Sequence, residues 1–132
     1  MSKVIVIFLV LLFSALSAAQ GATGSQTIPA NAAQLVNPIK PTPESLAQGK
    51  KYYGYDCAMC HGENGDGKGD VAVDEKLTLK DYRNPAALQS MTDGELFYVI
   101  KNGHGQMPPE GGRVKDTELW NLVNYIRSLS QK

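Results

Sequence analysis

Apolar residues recur at helical spacing in three stretches of the chain, separated by segments rich in glycine, proline and small polar residues. The first stretch predicts a helix over about 43–57, with Thr42 as its N-cap and Pro43 at the first helical position. One face of this helix carries, at positions i, i+3, i+7 and i+11, the residues Leu46, Gly49, Tyr53 and Cys57.

The other two stretches have their own start signals. Thr92 and Glu95 have the spacing of a capping box, and Asn102-Gly103 should end the helix that follows. Asp116 is expected to cap the last helix, over about 117–130. The apolar stripe of this last helix consists of Leu119, Leu122, Val123, Ile126 and Leu129. No segment reads convincingly as a strand, so the predicted fold class is all-α.

The glycine-rich segment 62–70 invites two other interpretations. Gly62 to Lys68 has the G-x-x-x-x-G-K spacing of a phosphate-binding loop, but Gly69 stands where such a loop needs Ser or Thr, and no strand precedes it. Its Asn and Asp residues lack the ligand order and the closing Glu of a calcium-binding EF-hand. We therefore expect a plain turn in this segment.

The first residues resemble a targeting segment. Lys3 supplies a positive charge, Val4 to Phe13 is an unbroken apolar run, and Ser17-Ala18-Ala19 allows cleavage before Gln20. The run is short for a membrane span, which needs about 20 apolar residues. Residues 1–19 are therefore predicted to be a signal peptide, with an uncleaved membrane anchor as the alternative.

The rest of the chain is long enough for one domain. Residues 20–42 are rich in Ala, Pro and small polar residues and are predicted to form a flexible leader, which leaves 43–131 as the domain. The chain has 13 Lys+Arg and 13 Asp+Glu, so its formal net charge is zero. Because no large basic field exists, nucleic acid is not an expected partner.

Residues 57–61 read Cys-Ala-Met-Cys-His, which is the attachment signature for a c-type haem. Cys57 and Cys60 lie one helical turn apart on one face, a spacing suited to thioether bonds with two haem vinyl groups. His61 follows directly and is expected to bind the haem iron as its proximal ligand. The sequence therefore predicts one covalently attached haem c as the cofactor.

Two other chemistries use the same residue types. A Cys-x-x-Cys pair also occurs in thioredoxin-like redox disulfides, but the strand-to-helix context of such a site is not evident here. Cys57, Cys60, His61 and His104 form a Cys2His2 set, yet the adjacent Cys60 and His61 fit the usual spacing of a zinc finger badly. Both are kept as alternatives to haem attachment.

Met107 is the candidate for the sixth iron position. Its thioether is a soft donor suited to iron, and His/Met ligation raises the reduction potential. It follows Gly103-His104-Gly105 and precedes two prolines, which gives a loop that can approach the haem plane closely and then be held rigid. His104 is the competing ligand, and bis-histidine ligation would lower the potential.

From about Ser45 to Leu129 the chain resembles the class I monohaem cytochrome c domain. The matching residues are Gly49, Tyr53, Cys57 to Gly62, Leu96, Ile100, Gly103, Met107-Pro108, Trp120, Val123, Tyr125, Ile126 and Leu129. The resemblance implies three main helices wrapped around the haem, with the first and last helices crossing where Gly49 meets Tyr125. It also implies that an Arg, Tyr or Trp binds the haem propionates, for which Tyr82, Arg83 and Trp120 are candidates.

The resemblance implies single-electron transfer by a low-spin haem c in the periplasm, between respiratory or dehydrogenase partners, and no enzymatic activity. The segment 37–50 also resembles the lead-in to monohaem subunits of respiratory complexes, so a tethered or docked subunit is the alternative to a free monomeric carrier. A haem enzyme or gas binder would need an open iron, which requires Met107 to dissociate. A cytochrome c′ is disfavoured because its haem motif lies near its C-terminus.

Overall fold

Five α-helices carry the fold in the computed structural model, which describes residues 27–131. They are α1 (Pro43–Tyr52), α2 (Ala58–His61), α3 (Asp70–Asp74), α4 (Asp93–Asn102) and α5 (Asp116–Ser128). A π-helical segment, Tyr53–Cys57, joins α1 to α2, and 3-10 turns lie at Ala32–Gln34, Pro85–Leu88 and Leu129–Gln131. Within 27–131 the only strand-like pairing is an isolated bridge between His104 and Met107, and the all-α prediction is confirmed.

The first helical run starts where the sequence predicted and ends later. Thr42 is the N-cap, and its Oγ1 accepts a hydrogen bond from the Ser45 amide at 3.3 Å. The run was predicted to end near 57, whereas helical backbone continues to His61 through the π-helical segment. Such wide turns are often found at functional sites, and this one lies directly before the Cys-x-x-Cys-His motif.

The capping box of α4 forms as predicted. The Thr92 Oγ1 accepts from the Glu95 amide at 3.2 Å, and the Thr92 amide donates to the Glu95 carboxylate at 2.7 Å. The last helix differs at its start, because Lys115 is the N-cap and Asp116 is already helical. The carboxylate of Asp116 binds the Lys101 ammonium at 2.8 Å instead of capping its own helix.

The helices α1 and α5 cross in contact, as expected. A Cβ added to Gly49 would lie 2.7 Å from the Tyr125 Cβ and 2.8 Å from the Asn121 carbonyl carbon, so only glycine fits there. A buried polar network joins the same helices: the Ser45 hydroxyl donates to Asn121 at 2.7 Å and accepts from Asn124 at 2.9 Å. Every member of this network is paired, as a buried polar group requires.

The segment predicted to be a flexible leader packs against the domain from residue 27 onward. Ala32 is 2% exposed, and the Asn37 amide donates to Asn124 at 2.9 Å. Residues 1–19, the predicted cleavage site before Gln20 and the first part of the leader lie outside the described residues. Among residues 27–131, no helix combines the length and apolar character needed to cross a membrane.

Candidate functional site

A cavity of about 510 Å³ lies on one side of the core and is lined mainly by apolar side chains. The four residues predicted to hold the haem, Cys57, Cys60, His61 and Met107, all line it. Other walls come from α4 and the turns before it, through Leu88, Met91, Leu96 and Val99. Its volume lies within the range typical of ligand and cofactor sites, about 300–1,000 Å³.

The glycine-rich loop holds the attachment motif in place by binding the end of α2. The carbonyls of Cys60 and His61 accept hydrogen bonds from the amides of Gly69 at 3.1 Å and Gly67 at 2.8 Å. These carbonyls would otherwise be unpaired at the helix terminus. The Tyr53 hydroxyl donates to the Gly62 carbonyl at 2.9 Å, which ties the loop to the core. The loop is therefore a turn that fixes the position of His61.

His61 lies in a buried environment that favours the neutral form of its imidazole. Its ring stacks on that of Tyr82, with centroids 5.0 Å apart, and burial lowers the pKa of His61. Its Nδ1 atom is buried without a hydrogen-bond partner in the protein. A neutral imidazole is the form that binds metal.

The two cysteines lie at the cavity wall, and no disulfide joins them. Burial, together with the nearby carboxylates of Glu110 and Asp56, raises the pKa of Cys57 to about 12. Reactive Cys-x-x-Cys pairs of redox enzymes have lowered thiol pKa values, so this environment does not suit disulfide exchange.

Met107 reaches the cavity from a short loop between α4 and α5. The amide of His104 donates to the Met107 carbonyl at 3.1 Å, and the Met107 amide donates back to the His104 carbonyl at 3.0 Å. The amide of Glu110 then donates to the Ile100 carbonyl at 3.0 Å, which anchors the loop to the end of α4. The methionine is therefore presented on a tight turn with both ends held.

The residues that line the cavity fit a haem c. Two thiols and an imidazole come from one wall, a thioether donor comes from a different element, and the remaining lining is largely apolar. A metal held by side chains alone fits less well, because within 27–131 no three His, Cys, Asp or Glu residues gather as they would around an ion. The Cys2His2 alternative is therefore unsupported.

The residues considered for binding the propionates, and the competing ligand His104, differ in whether they lie at the cavity. Tyr82 lines the cavity, whereas Arg83 is exposed and paired with Asp81 at 2.7 Å. Trp120 stacks on Phe97 in the core, with centroids 4.0 Å apart, and is not among the residues that line the cavity. His104 lies at the cavity as an exposed loop residue.

Glu110 and Ile28 also line the cavity, although the sequence does not mark either of them. The Glu110 side chain is 5% exposed and pairs with Arg113 at 2.7 Å, and the same guanidinium lies 3.4 Å from Asp56. Ile28 belongs to the predicted leader. Neither lies in a motif or a periodic face, so no local signal in the sequence marked them.

Comparisons with known proteins fit this geometry. A family model described as cytochrome c oxidase, cbb3-type, subunit III matches residues 44–126. Cytochrome c6 of Bumilleriopsis filiformis is 28% identical over 87 residues, which cover 66% of this chain and 94% of that protein. Cytochrome c6 of Picosynechococcus sp. is 33% identical over 86 residues, which cover 61% of this chain and 69% of that protein.

One solved structure is similar in fold. It is a chain of the Kuenenia stuttgartiensis reducing HAO-like protein complex, with a TM-score of 0.59 and 25% sequence identity. The similarity covers 70% of this chain and 46% of that one. This chain therefore corresponds to less than half of that relative's length.

Proposed function

The chain belongs to the cytochrome c family matched over residues 44–126, and we propose that it passes single electrons between redox proteins in the periplasm. Its cofactor is one covalently bound haem c, as in the class I monohaem cytochromes, and the haem takes part in electron transfer. In our proposal, Cys57 and Cys60 hold the haem, and His61 and Met107 bind its iron.

The observation that carries this proposal is the gathering of all four residues around one apolar cavity. When bound, the haem iron takes up and releases one electron. The side chains that line the cavity determine which other reactions could occur at the iron. His61 and Met107 would both bind the iron, which would leave no coordination site open for a substrate, so we expect no enzymatic activity. The apolar lining would keep water from the haem and so help set its reduction potential.

The periplasmic location is supported by the sequence of residues 1–19, which has the order of a signal peptide. Attachment of haem outside the cytoplasm, which the resemblance implies, fits this location.

A docked or tethered haem subunit of a larger complex is the second candidate. It is favoured by the description of the matching family, which is that of an oxidase subunit, and by a similar chain in a multi-protein complex. The chemistry at the iron would be the same in both cases. The two candidates differ in the partner and in whether the domain diffuses freely.

The experiment that tests the site is the substitution Met107→Ala in the haem-loaded protein, with His104→Ala as the matched control. Met107→Ala should leave the haem attached, abolish the methionine–iron charge-transfer band and lower the reduction potential, because the soft thioether favours Fe(II). The opened position should then bind cyanide or carbon monoxide. His104→Ala should leave the band and the potential unchanged.

Two results would contradict the proposal. A spectrum altered by His104→Ala and unaffected by Met107→Ala would mean bis-histidine ligation. Rapid binding of carbon monoxide by the unmutated protein at neutral pH would favour a gas binder or an enzyme over an electron carrier.

A further inference from the structure

The cavity has one wall that lies outside the part of the chain matched by the cytochrome family. Ile28 lines the same cavity as His61 and Met107, whereas the family match begins at residue 44. We call residues 27–37 the N-terminal strap. The haem-binding motifs lie entirely within the matched range, so the strap is a wall of the cavity that the family match does not include.

The strap has a defined shape around the 3-10 turn Ala32–Gln34. The Ala32 amide donates to the Pro29 carbonyl at 2.9 Å, and the Leu35 amide donates to the Ala32 carbonyl at 3.1 Å. At its end, the Asn37 side chain donates to the Trp120 carbonyl at 3.3 Å and to Asn124 at 2.9 Å. Both acceptors belong to α5, so the strap is fixed to the domain at this end.

Gly94 shows how closely the strap approaches α4. A Cβ at this position would overlap the Ala32 carbonyl oxygen and would lie 2.7 Å from the Leu35 carbonyl oxygen and 2.8 Å from the Leu35 Cβ. All three atoms belong to the backbone or the Cβ position of the strap, so none can rotate away. Glycine inside the first turn of a helix is otherwise unfavourable. Its presence at residue 94 is explained by the close packing of the strap.

We propose that the N-terminal strap is a fixed wall of the haem cavity and that Ile28 covers part of the haem, excludes water and raises the reduction potential. This rests on the proposed function, since it assumes that the haem occupies the cavity. The physical reason is that an apolar wall stabilises the less charged Fe(II) form relative to Fe(III). The strap therefore contributes to the reduction potential of the haem, which the attachment motif alone does not determine.

The first test compares Ile28→Ser with Val36→Ser in the haem-loaded protein. Both changes replace a β-branched apolar residue of the strap by a small polar one, but Val36 is 83% exposed and is not among the residues that line the cavity. Ile28→Ser should lower the reduction potential, and Val36→Ser should leave it unchanged. Equal potentials for the two variants would overturn the assignment of Ile28.

The second test addresses the packing of the strap without relying on the potential. Gly94→Ala should speed hydrogen exchange at the amides of Ala32 and Leu35 by roughly tenfold or more, because the added methyl group forces the strap off α4. Gly54→Ala is the control, since Gly54 is also helical and nothing lies within 4 Å of its added Cβ. Unchanged exchange in Gly94→Ala would overturn the proposal.

The two tests separate failure of the strap from failure of the proposed function. An attached haem with an intact methionine–iron band, combined with no effect of Ile28→Ser, would refute the strap alone. Absence of covalently bound haem from the purified protein would refute the proposed function, while hydrogen exchange would still report whether the strap is packed. Should Gly94→Ala fail to fold, the Ile28→Ser comparison decides the proposal.

Discussion

At the scale of single residues, Arg113 connects the two segments that we propose hold the haem. Its guanidinium donates to both carboxylate oxygens of Glu110, at 2.8 and 2.7 Å, and lies 3.4 Å from Asp56. Asp56 directly precedes Cys57, and Glu110 follows the loop that carries Met107. Because the Glu110 side chain is almost fully buried, its charge needs this partner. We infer that Arg113 is a positioning residue for Met107.

Arg113→Gln should therefore loosen the methionine loop. We expect a lower urea midpoint and several-fold faster cyanide binding by the ferric haem protein, with the haem still attached. Lys101→Gln is the matched control, because Lys101 also pairs with a carboxylate, that of Asp116 at 2.8 Å, but is not among the residues that line the cavity. Exposed ion pairs contribute little to stability, so the control should behave as the unmutated protein does. Equal cyanide-binding rates in both variants would contradict the role of Arg113.

Tyr53 is expected to make the stability of the folded protein decrease at alkaline pH. Burial, followed by the nearby Cys57, raises the pKa of Tyr53 far above its usual value near 10. The unfolded chain releases this proton near pH 10 while the folded chain keeps it, so the contribution to stability is complete below pH 10 and declines above it. Its hydroxyl donates to the Gly62 carbonyl at 2.9 Å, a bond worth about 1 kcal/mol.

Tyr53→Phe should thus cost about 1 kcal/mol of unfolding free energy at pH 7, and the difference from the unmutated protein should shrink between pH 9 and 11. Urea unfolding at several pH values measures this. Tyr55→Phe serves as the control, since Tyr55 is largely exposed. If the difference in unfolding free energy grew with pH instead, the pKa of Tyr53 could not be raised in the folded protein.

At the scale of elements, the crossing of α1 and α5 depends on the absence of a side chain at Gly49. Gly49→Ala would place a Cβ 2.7 Å from the Tyr125 Cβ and 2.8 Å from the Asn121 carbonyl carbon. Neither of these atoms can rotate away, because each is fixed to the backbone of α5. We expect a loss of about 1–3 kcal/mol, as is typical of overpacking, measured by urea unfolding of the haem-loaded protein. Gly54→Ala in the same helical run should be neutral or stabilising, because its Cβ enters open space. Equal stability of the two variants would refute this packing argument.

The elements predicted correctly are those with local signals. Thr92 and Glu95 lie three residues apart and form their capping box with no help from the rest of the chain. Asp116 carried the same kind of signal, yet its carboxylate binds Lys101 on another helix. The packing of residues 27–37 escaped prediction because it depends on the bare backbone of Gly94, more than fifty positions away, and not on any periodicity of its own.

The same distinction applies to the candidate site. Cys57, Cys60 and His61 lie within five consecutive residues, and Met107 is marked by the glycines and prolines around it. Glu110 and Ile28 reach the cavity through tertiary packing alone, so no local pattern predicts their place there.

At the scale of the whole molecule, the packed strap would limit how far an anchored form of the domain could move from a membrane. If residues 1–19 remained as an anchor, a free leader over 20–42 would reach about 75 Å when fully extended. Because residues from 27 onward pack against the domain, only 20–26 are left to span the gap, and they reach at most roughly 25 Å. An anchored form would therefore exchange electrons only with partners close to the membrane surface.

The mass of the native protein decides between the diffusing and the anchored form. Because Ser17-Ala18-Ala19 offers a cleavage site, we expect the protein purified from its source to start near Gln20 and to carry the mass of one haem. That haem should survive denaturation and acid–acetone extraction, since thioether bonds to Cys57 and Cys60 are covalent. Ser17→Arg, which removes the small residue at the cleavage site, should yield the full-length mass in the membrane fraction and serves as the reference for an uncleaved chain. Recovery of the unmutated protein at that same mass from membranes would favour the tethered subunit, and extractable haem would contradict covalent attachment altogether.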